Sequence, residues 1–176
     1  LNNWRPISLT NTDYKLLAKC FALRLTPVLG DIIDEDQCGF IKGHNASTMI
    51  RLIDDTIENM NNFDKPGILL ALDYRRAFDS ISKDFIIWAF KKFGFGEKFT
   101  RWVQVLMAKT VSSINYMGWV SENFPVESGI RQGCCFSPTA FIIALELLAI
   151  KIRHDNTIKG IQLPVPPTSA AVSVSL

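Results

Sequence analysis

Histidine is nearly absent from this chain: among 176 residues only His44 and His154 occur. Cysteine is scarce too, with Cys20, Cys38, Cys134 and Cys135 the four present. None forms a Cys-x-x-Cys pair, so the spacing argues against zinc. Cys134 and Cys135 are adjacent, a poor arrangement for bonding one another. The simplest reading is reduced thiols in an intracellular protein, nuclear or cytoplasmic. Excess charge is also lacking. A formal net charge of +2 counts against a free-standing nucleic-acid binder, whose phosphate contacts come from Lys and Arg. A basic groove on a balanced surface stays open. No apolar run is long enough for a bilayer: the longest, Thr139 to Ile150, is interrupted by Glu146, and no membrane partner is expected. A secretory signal is not seen either, because Arg5, Lys15, Lys19 and Arg24 are spread through residues 1–30. The chain opens on Leu1 without a methionine, from which we expect that something upstream is missing or was cleaved.

What is present is enough for a core. Apolar residues make up 48% and charged residues 20%, which suits one domain or a large piece of a bigger protein. Residues 2–10 read as extended, with Pro6 opposing helix. A helix capped by Asn11, Thr12 or Asp13 is expected to reach about Leu25, with Pro27 and Gly30 ending it. Asp31 to Asp36 is an acidic patch. A second amphipathic helix is expected over Asn45 to Asn61, with Met49, Ile50, Ile53 and Ile57 on one side. Pro66-Gly67 is a turn. The run Ile68-Leu69-Leu70-Ala71-Leu72 then has the pattern of a strand buried on both faces, ending on Asp73. Ser82 caps a helix through Phe93 whose apolar face is Phe85, Ile86, Ala89, Phe90 and Phe93. Gly94 and Gly96 separate it from a helix near Glu97 to Met107. Residues 110–128 read as two strands around a turn near Gly118. Ser137-Pro138 starts a last helix with proline in its first turn; Ile142, Leu145, Leu148, Ala149 and Ile152 are its expected buried face. From Pro164 the composition turns uncharged and rich in Pro, Ala, Val and Ser, which reads as a tail.

Two carboxylates draw notice. Asp73 ends a buried run, where a charge is costly unless a metal, a salt bridge or a capping role compensates it. Asp79, alone, reads as a capping or hydrogen-bonding residue. Four ordered blocks narrow the reading. Asn3-Trp4-Arg5-Pro6-Ile7-Ser8-Leu9-Thr10-Asn11-Thr12-Asp13-Tyr14-Lys15 is the first and Gln37-Cys38-Gly39-Phe40-Ile41-Lys42-Gly43 the second. Ala71-Leu72-Asp73-Tyr74-Arg75-Arg76-Ala77-Phe78-Asp79-Ser80 is the third. The fourth is Gly129-Ile130-Arg131-Gln132-Gly133-Cys134 with Ser137-Pro138. In order and spacing they resemble the conserved blocks of reverse transcriptases from LINE-type (non-LTR) retrotransposons. The resemblance covers about Asn2 to Leu163.

That resemblance implies an α/β (α+β) fold, the fingers and partial palm of a right-hand polymerase. Residues 1–66 would be fingers, 67–163 palm and 164–176 an unrelated tail. It implies two-metal nucleotidyl transfer with magnesium, or alternatively manganese. The partners would be an RNA template, a DNA primer and deoxynucleoside triphosphates, with the rest of the retrotransposon polyprotein missing. Asp73 matches the catalytic, metal-binding aspartate. Phe78 matches the aromatic residue beneath the incoming sugar, and Arg5 a fingers arginine whose planar fork suits phosphate oxygens. Gln132 and Gly133 match the pair beside the nucleotide. Arg131 is either a nucleic-acid contact or a solvated loop charge. Lys91, Lys92, Lys98, Arg101 and Lys109 form a basic stretch that tracks a phosphate backbone or is a solvated helix face.

The chain departs from the family pattern at three places. His44 stands where an arginine is usual after the second-block glycine, and Cys135-Phe136 where Pro-Leu is usual. The family's aromatic-Ala-Asp-Asp tetrad, expected after Lys159-Gly160-Ile161-Gln162-Leu163, occurs nowhere in the 176 residues. The expectation is a polymerase piece truncated before the catalytic hairpin and thumb, inactive alone. A non-catalytic RNA-binding remnant and the product of a decayed retroelement are the alternatives. Group II intron maturases are the nearest other polymerase relatives.

Overall fold

A computed structural model of the chain describes residues 7–161; Arg5 and the expected tail at 164–176 lie outside them. The first helix, α1 (Thr12–Ile32), follows an extended Asn11, which makes no side-chain cap. It does not stop at Pro27. Proline removes one helical donor, and its ring strains the carbonyl four residues earlier. Here Pro27 and Leu23 both lie on the exposed side of α1, so the freed carbonyl faces water and the helix continues. The opposite side carries Ala18, Phe21, Ala22, Leu25 and Leu29 into the core, the i, i+3, i+4 stripe expected of a helix lying on a core.

The second helix, α2 (Ala46–Asn62), lies within a residue of the expected span, and Asn45 stands just before it as its cap, accepting from the Ser47 amide. Its apolar stripe is only partly used. Met49 and Ile53 are half-buried, whereas Ile50 is 60% exposed and Ile57 also faces solvent. A short helix, α3 (Ala77–Ser80), leads through Ser82 into α4 (Lys83–Lys92). Gly94 turns the chain at a φ of +77°, and Gly96 opens α5 (Glu97–Met107). The last helix is α6 (Ser137–Arg153), with Pro138 in its first turn. Helices α1, α4, α5 and α6 surround a core in which Leu25, Ile86, Phe90, Val103, Phe136, Ile142 and Ile143 are almost wholly buried. A chain of aromatic contacts runs through it: Phe21 to Phe99 at 5.2 Å, Phe99 to Phe95 at 5.4 Å and Phe95 to Phe90 at 5.0 Å.

Two helical faces differ from expectation. Phe85 is exposed and stacks on Trp88 instead of entering the core. On α6 the buried set is Ser137, Thr139, Ala140, Ile142, Ile143, Ala144 and Glu146, while Leu148 faces outward. Glu146, at 1% exposure, is held by Arg153, which also lies 3.6 Å from Asp34. Arg153 thereby ties the end of α6 to the acidic patch that follows α1.

The expected strand at Ile68 to Leu72 is not formed. Residues 65–74 have no regular structure, and Ile68 and Leu70 are 90% and 72% exposed. A strand is stabilised by ladder bonds to a neighbour. Among the described residues none pairs with this segment, so its apolar run stands in solvent.

Between α5 and α6 lies an exposed hairpin. β1 (Val111–Ser112) pairs antiparallel with β4 (Phe124–Pro125), and β2 (Asn115–Tyr116) with β3 (Trp119–Val120). The turn is Met117-Gly118, with φ of +49° and +87°. Positive φ at both central residues matches the right-handed twist of two-residue hairpins. The expected pair of strands is thus present but broken at Ser121, whose hydroxyl accepts from the Ile114 amide. At the base, Lys83 donates to Thr110 Oγ1 at 3.1 Å and to the Val126 carbonyl, fastening the hairpin to α4. The architecture is a helix-rich mixture of α and β, consistent with the α+β expectation.

Candidate active site

The site forms where two distant pieces of chain are laced together. Arg76 adopts a left-handed φ of +53° and turns the chain into α3. The loop at 128–133 then docks on that turn through its backbone. The Ile130 amide donates to the Phe78 carbonyl at 2.7 Å, and the Gly129 amide to the Ile81 carbonyl at 2.9 Å. Ser128 Oγ donates to the Asp79 carbonyl at 3.1 Å. Gly129 makes this approach possible. A Cβ there would lie 2.7 Å from the Phe78 oxygen and 2.8 Å from the Asp79 Cα and oxygen, and its φ is +82°. Only glycine meets both demands at no cost.

Side chains reinforce the junction. Gln132 Nε2 donates to both Asp79 carboxylate oxygens, at 3.1 and 3.3 Å. Phe78 is half-buried, with its ring edge-on to Phe141 at 5.1 Å. On the other side the Ser8 amide donates to the Gln132 carbonyl at 2.9 Å, and Gly133 takes a φ of +95° close to Ser8. Three of the four sequence blocks therefore meet here: the first at Ser8, the third at Phe78 and Asp79, the fourth at 129–134.

Arg131 is not a free loop charge. Its guanidinium lies 4.2 Å from the centre of the Tyr14 ring and donates to the Leu106 carbonyl at 3.1 Å. Tyr14 contacts Cys134 Sγ at 3.6 Å. Burial, chiefly, with the neighbouring Cys134, pushes the Tyr14 hydroxyl up to about 12, against the opposing pull of Arg131. Beside Tyr14 opens a cleft of about 390 Å³ whose lining includes Thr12, Lys15, Lys19, Gly133 and Cys135. Lys15 and Lys19 are the charged residues in that lining.

The other expected residues lie apart. Asp73 is exposed in the irregular stretch before α3. Among the described residues its carboxylate has no hydrogen-bond partner, and no group of three His, Cys, Asp or Glu could hold a metal. Lys91 and Lys92 sit exposed in the last turn of α4, with Lys92 over the Trp88 ring at 5.4 Å. The departures at His44 and Phe136 are absorbed locally. His44 Nδ1 pairs with the Gln37 carbonyl at 2.7 Å, and Phe136 fills the core. Sequence reasoning misses the role of Gly129, the Asp79–Gln132 pair and the Arg131–Tyr14 stack. Only the glycine between Ser128 and Ile130 hints at a tight approach.

The profile of the family "Reverse transcriptase (RNA-dependent DNA polymerase)" matches residues 1–163. The chain belongs to the reverse transcriptase family. This reverse transcriptase chain is similar to the "Transposon TX1 uncharacterized 149 kDa protein" of Xenopus laevis, 28% identical over 98% of this chain and 13% of the relative. It is 27% identical to the "Retrovirus-related Pol polyprotein from type-2 retrotransposable element R2DM" of Drosophila melanogaster, over 83% of this chain and 14% of that protein. It is 24% identical to the "Retrovirus-related Pol polyprotein from type-1 retrotransposable element R2" of Popillia japonica, over 90% of this chain and 22% of that protein. The reverse transcriptase chain thus spans between 13% and 22% of these relatives. They are proteins of non-LTR retrotransposons, as the sequence blocks imply. Among the described residues no helix is long and apolar enough to cross a membrane.

Proposed function

We propose that these residues are the fingers, 1–66, and the nucleotide-handling part of the palm, 67–163, of an RNA-directed DNA polymerase encoded by a non-LTR retrotransposon. Its substrates are an RNA template, a DNA primer and deoxynucleoside triphosphates. The observation that carries the reading is the docking of the 128–133 loop on the Phe78 turn. It joins, through Gly129 and the Asp79–Gln132 pair, the two sequence blocks that line the nucleotide site in the family. Lys15 and Lys19 at the neighbouring cleft suit a polyanionic ligand.

The family's divalent metals supply charge stabilisation and an activated hydroxyl. Asp73 is a hard oxygen ligand of the kind magnesium takes, yet one carboxylate does not hold two cations against their mutual repulsion. The described residues do not complete a metal centre. What this chain supplies is shape: Phe78, braced by Phe141, sets a wall at the turn after Asp73, and Gln132 and Gly133 line the loop opposite.

The test is sugar discrimination. With the chain joined to the C-terminal half of a related retrotransposon polymerase, Phe78→Val is expected to raise ribonucleotide over deoxynucleotide incorporation by about tenfold or more, since a steric wall worth ~1.4 kcal/mol gives that factor. Primer extension with each nucleotide type measures it. Unchanged discrimination would reduce Phe78 to a packing residue.

A further inference from the structure

An amide side chain has a donor end and an acceptor end, and something must decide which end faces a ligand. A carboxylate only accepts hydrogen bonds. Gln132 Nε2 lies 3.1 Å from Asp79 Oδ1 and 3.3 Å from Oδ2, so the amide turns its NH2 to Asp79 and leaves Oε1 as the free end. We propose that Asp79 is a positioning residue whose carboxylate holds the Gln132 amide in this one orientation, so that the loop presents an acceptor to a bound nucleotide. The proposal rests on reading residues 128–133 as the loop that meets the nucleotide.

The alternative is that Asp79 merely staples two segments together. The backbone makes that staple redundant. The amides of Gly129 and Ile130 and the Ser128 hydroxyl already bind the carbonyls of Ile81, Phe78 and Asp79. Gln132 is fixed a second time, because its own carbonyl accepts from the Ser8 amide. With both backbones anchored, the remaining freedom is rotation of the Gln132 side chain. The bond to Asp79 is what removes it. A bond to an ionised acceptor is among the stronger ones in a protein. An acceptor end also restricts what it meets: it takes the hydroxyl or amine hydrogens of a nucleoside, not the oxygens of a phosphate.

The experiment uses the 176-residue chain labelled with 15N and titrated with dTTP. The Gln132 side-chain NH2 signal is identified by its disappearance in Gln132→Ala. In Asp79→Ala that signal is expected to move toward the position of a free amide, and dTTP affinity to fall about tenfold, the factor set by one charge-assisted bond. Asp79→Asn keeps an acceptor and is expected to fall between the two; it carries the test if Asp79→Ala does not fold, which the backbone amide spectrum reports. The double variant Asp79→Ala/Gln132→Ala is expected to bind dTTP no more weakly than Gln132→Ala, because coupled residues lose their effect once. An unmoved NH2 signal in the Asp79 variants, or additive losses in the double variant, overturns the positioning role. A Gln132→Ala chain that binds dTTP like the parent overturns the nucleotide reading of the loop. The NH2 arm needs no ligand and distinguishes that failure from failure of the positioning.

Discussion

Gly129 decides how closely two distant pieces of chain meet. Its missing side chain lets the fourth sequence block lie directly on the turn after Asp73. Gly129→Ala would place a methyl group 2.7 Å from the Phe78 carbonyl oxygen at a φ of +82°. Backbone must shift, and strain of this kind costs about 1–3 kcal/mol before the broken hydrogen bonds are added. We expect the stability measured by urea unfolding to fall by about 3 kcal/mol, and the two hydrogen bonds from Gln132 to Asp79 to break as the loop lifts. A fall below ~0.5 kcal/mol, the range of neutral surface changes, would show that the loop is not seated as described. Residue chemistry is only half legible in the sequence. Ser82 announces its cap because its side chain acts within its own turn. Arg131 cannot announce its place over Tyr14, because that stack joins residues brought together only by folding.

Elements are legible where neighbours in sequence decide them. The bounds of α4, α5 and α6 follow from caps, glycines and a proline in the first turn. Legibility fails where solvent or partners decide. Pro27 predicts an end to α1, but a proline on the wet face leaves its orphaned carbonyl to water. The run Ile68 to Leu72 predicts burial, but burial needs a neighbouring strand, and sequence pattern does not supply one. Glu146 reads in sequence only as an interruption of an apolar run, yet it is the buried link between α6 and the end of α1 through Arg153 and Asp34. Burial raises the Glu146 carboxyl above its ordinary 4.5, with Arg153 opposing and Asp34 reinforcing. Because the folded value is the higher one, the proton stabilises the fold. That contribution is full below about 4.5 and is lost as pH rises through the raised folded value. Arg153→Met removes the cation that offsets the charged form. The expected cost is about 3 kcal/mol at pH 7, shrinking on acidification as Glu146 takes its proton. Asp36 is also raised, first by burial and then by the Asp34 charge, with the Arg153 charge opposing, and adds in the same direction. Urea unfolding of both proteins across that range measures it, and a cost independent of pH would contradict the linkage.

For the whole molecule, the helical core and the docked loop bring three of the four sequence blocks together, and among the described residues no group of three His, Cys, Asp or Glu could hold a metal. The sequence blocks identify the family because four motifs in order carry far more information than local periodicity. They do not convey that Asp73 stands exposed, since a residue's surroundings come from other parts of a fold. The 176-residue chain alone is expected to show no primer extension with RNA template, DNA primer, deoxynucleotides and magnesium or manganese. A single aspartate is insufficient for two ions. The most direct measurement joins the chain to the C-terminal half of a related retrotransposon polymerase and compares Asp73 with Asp73→Ala. The expected result is RNA-templated extension by the first and a drop of at least about a thousandfold in the second, a barrier increase of ~4 kcal/mol, with the circular dichroism spectrum unchanged. Extension that persists in Asp73→Ala would contradict the assignment of this chain's carboxylate to the reaction.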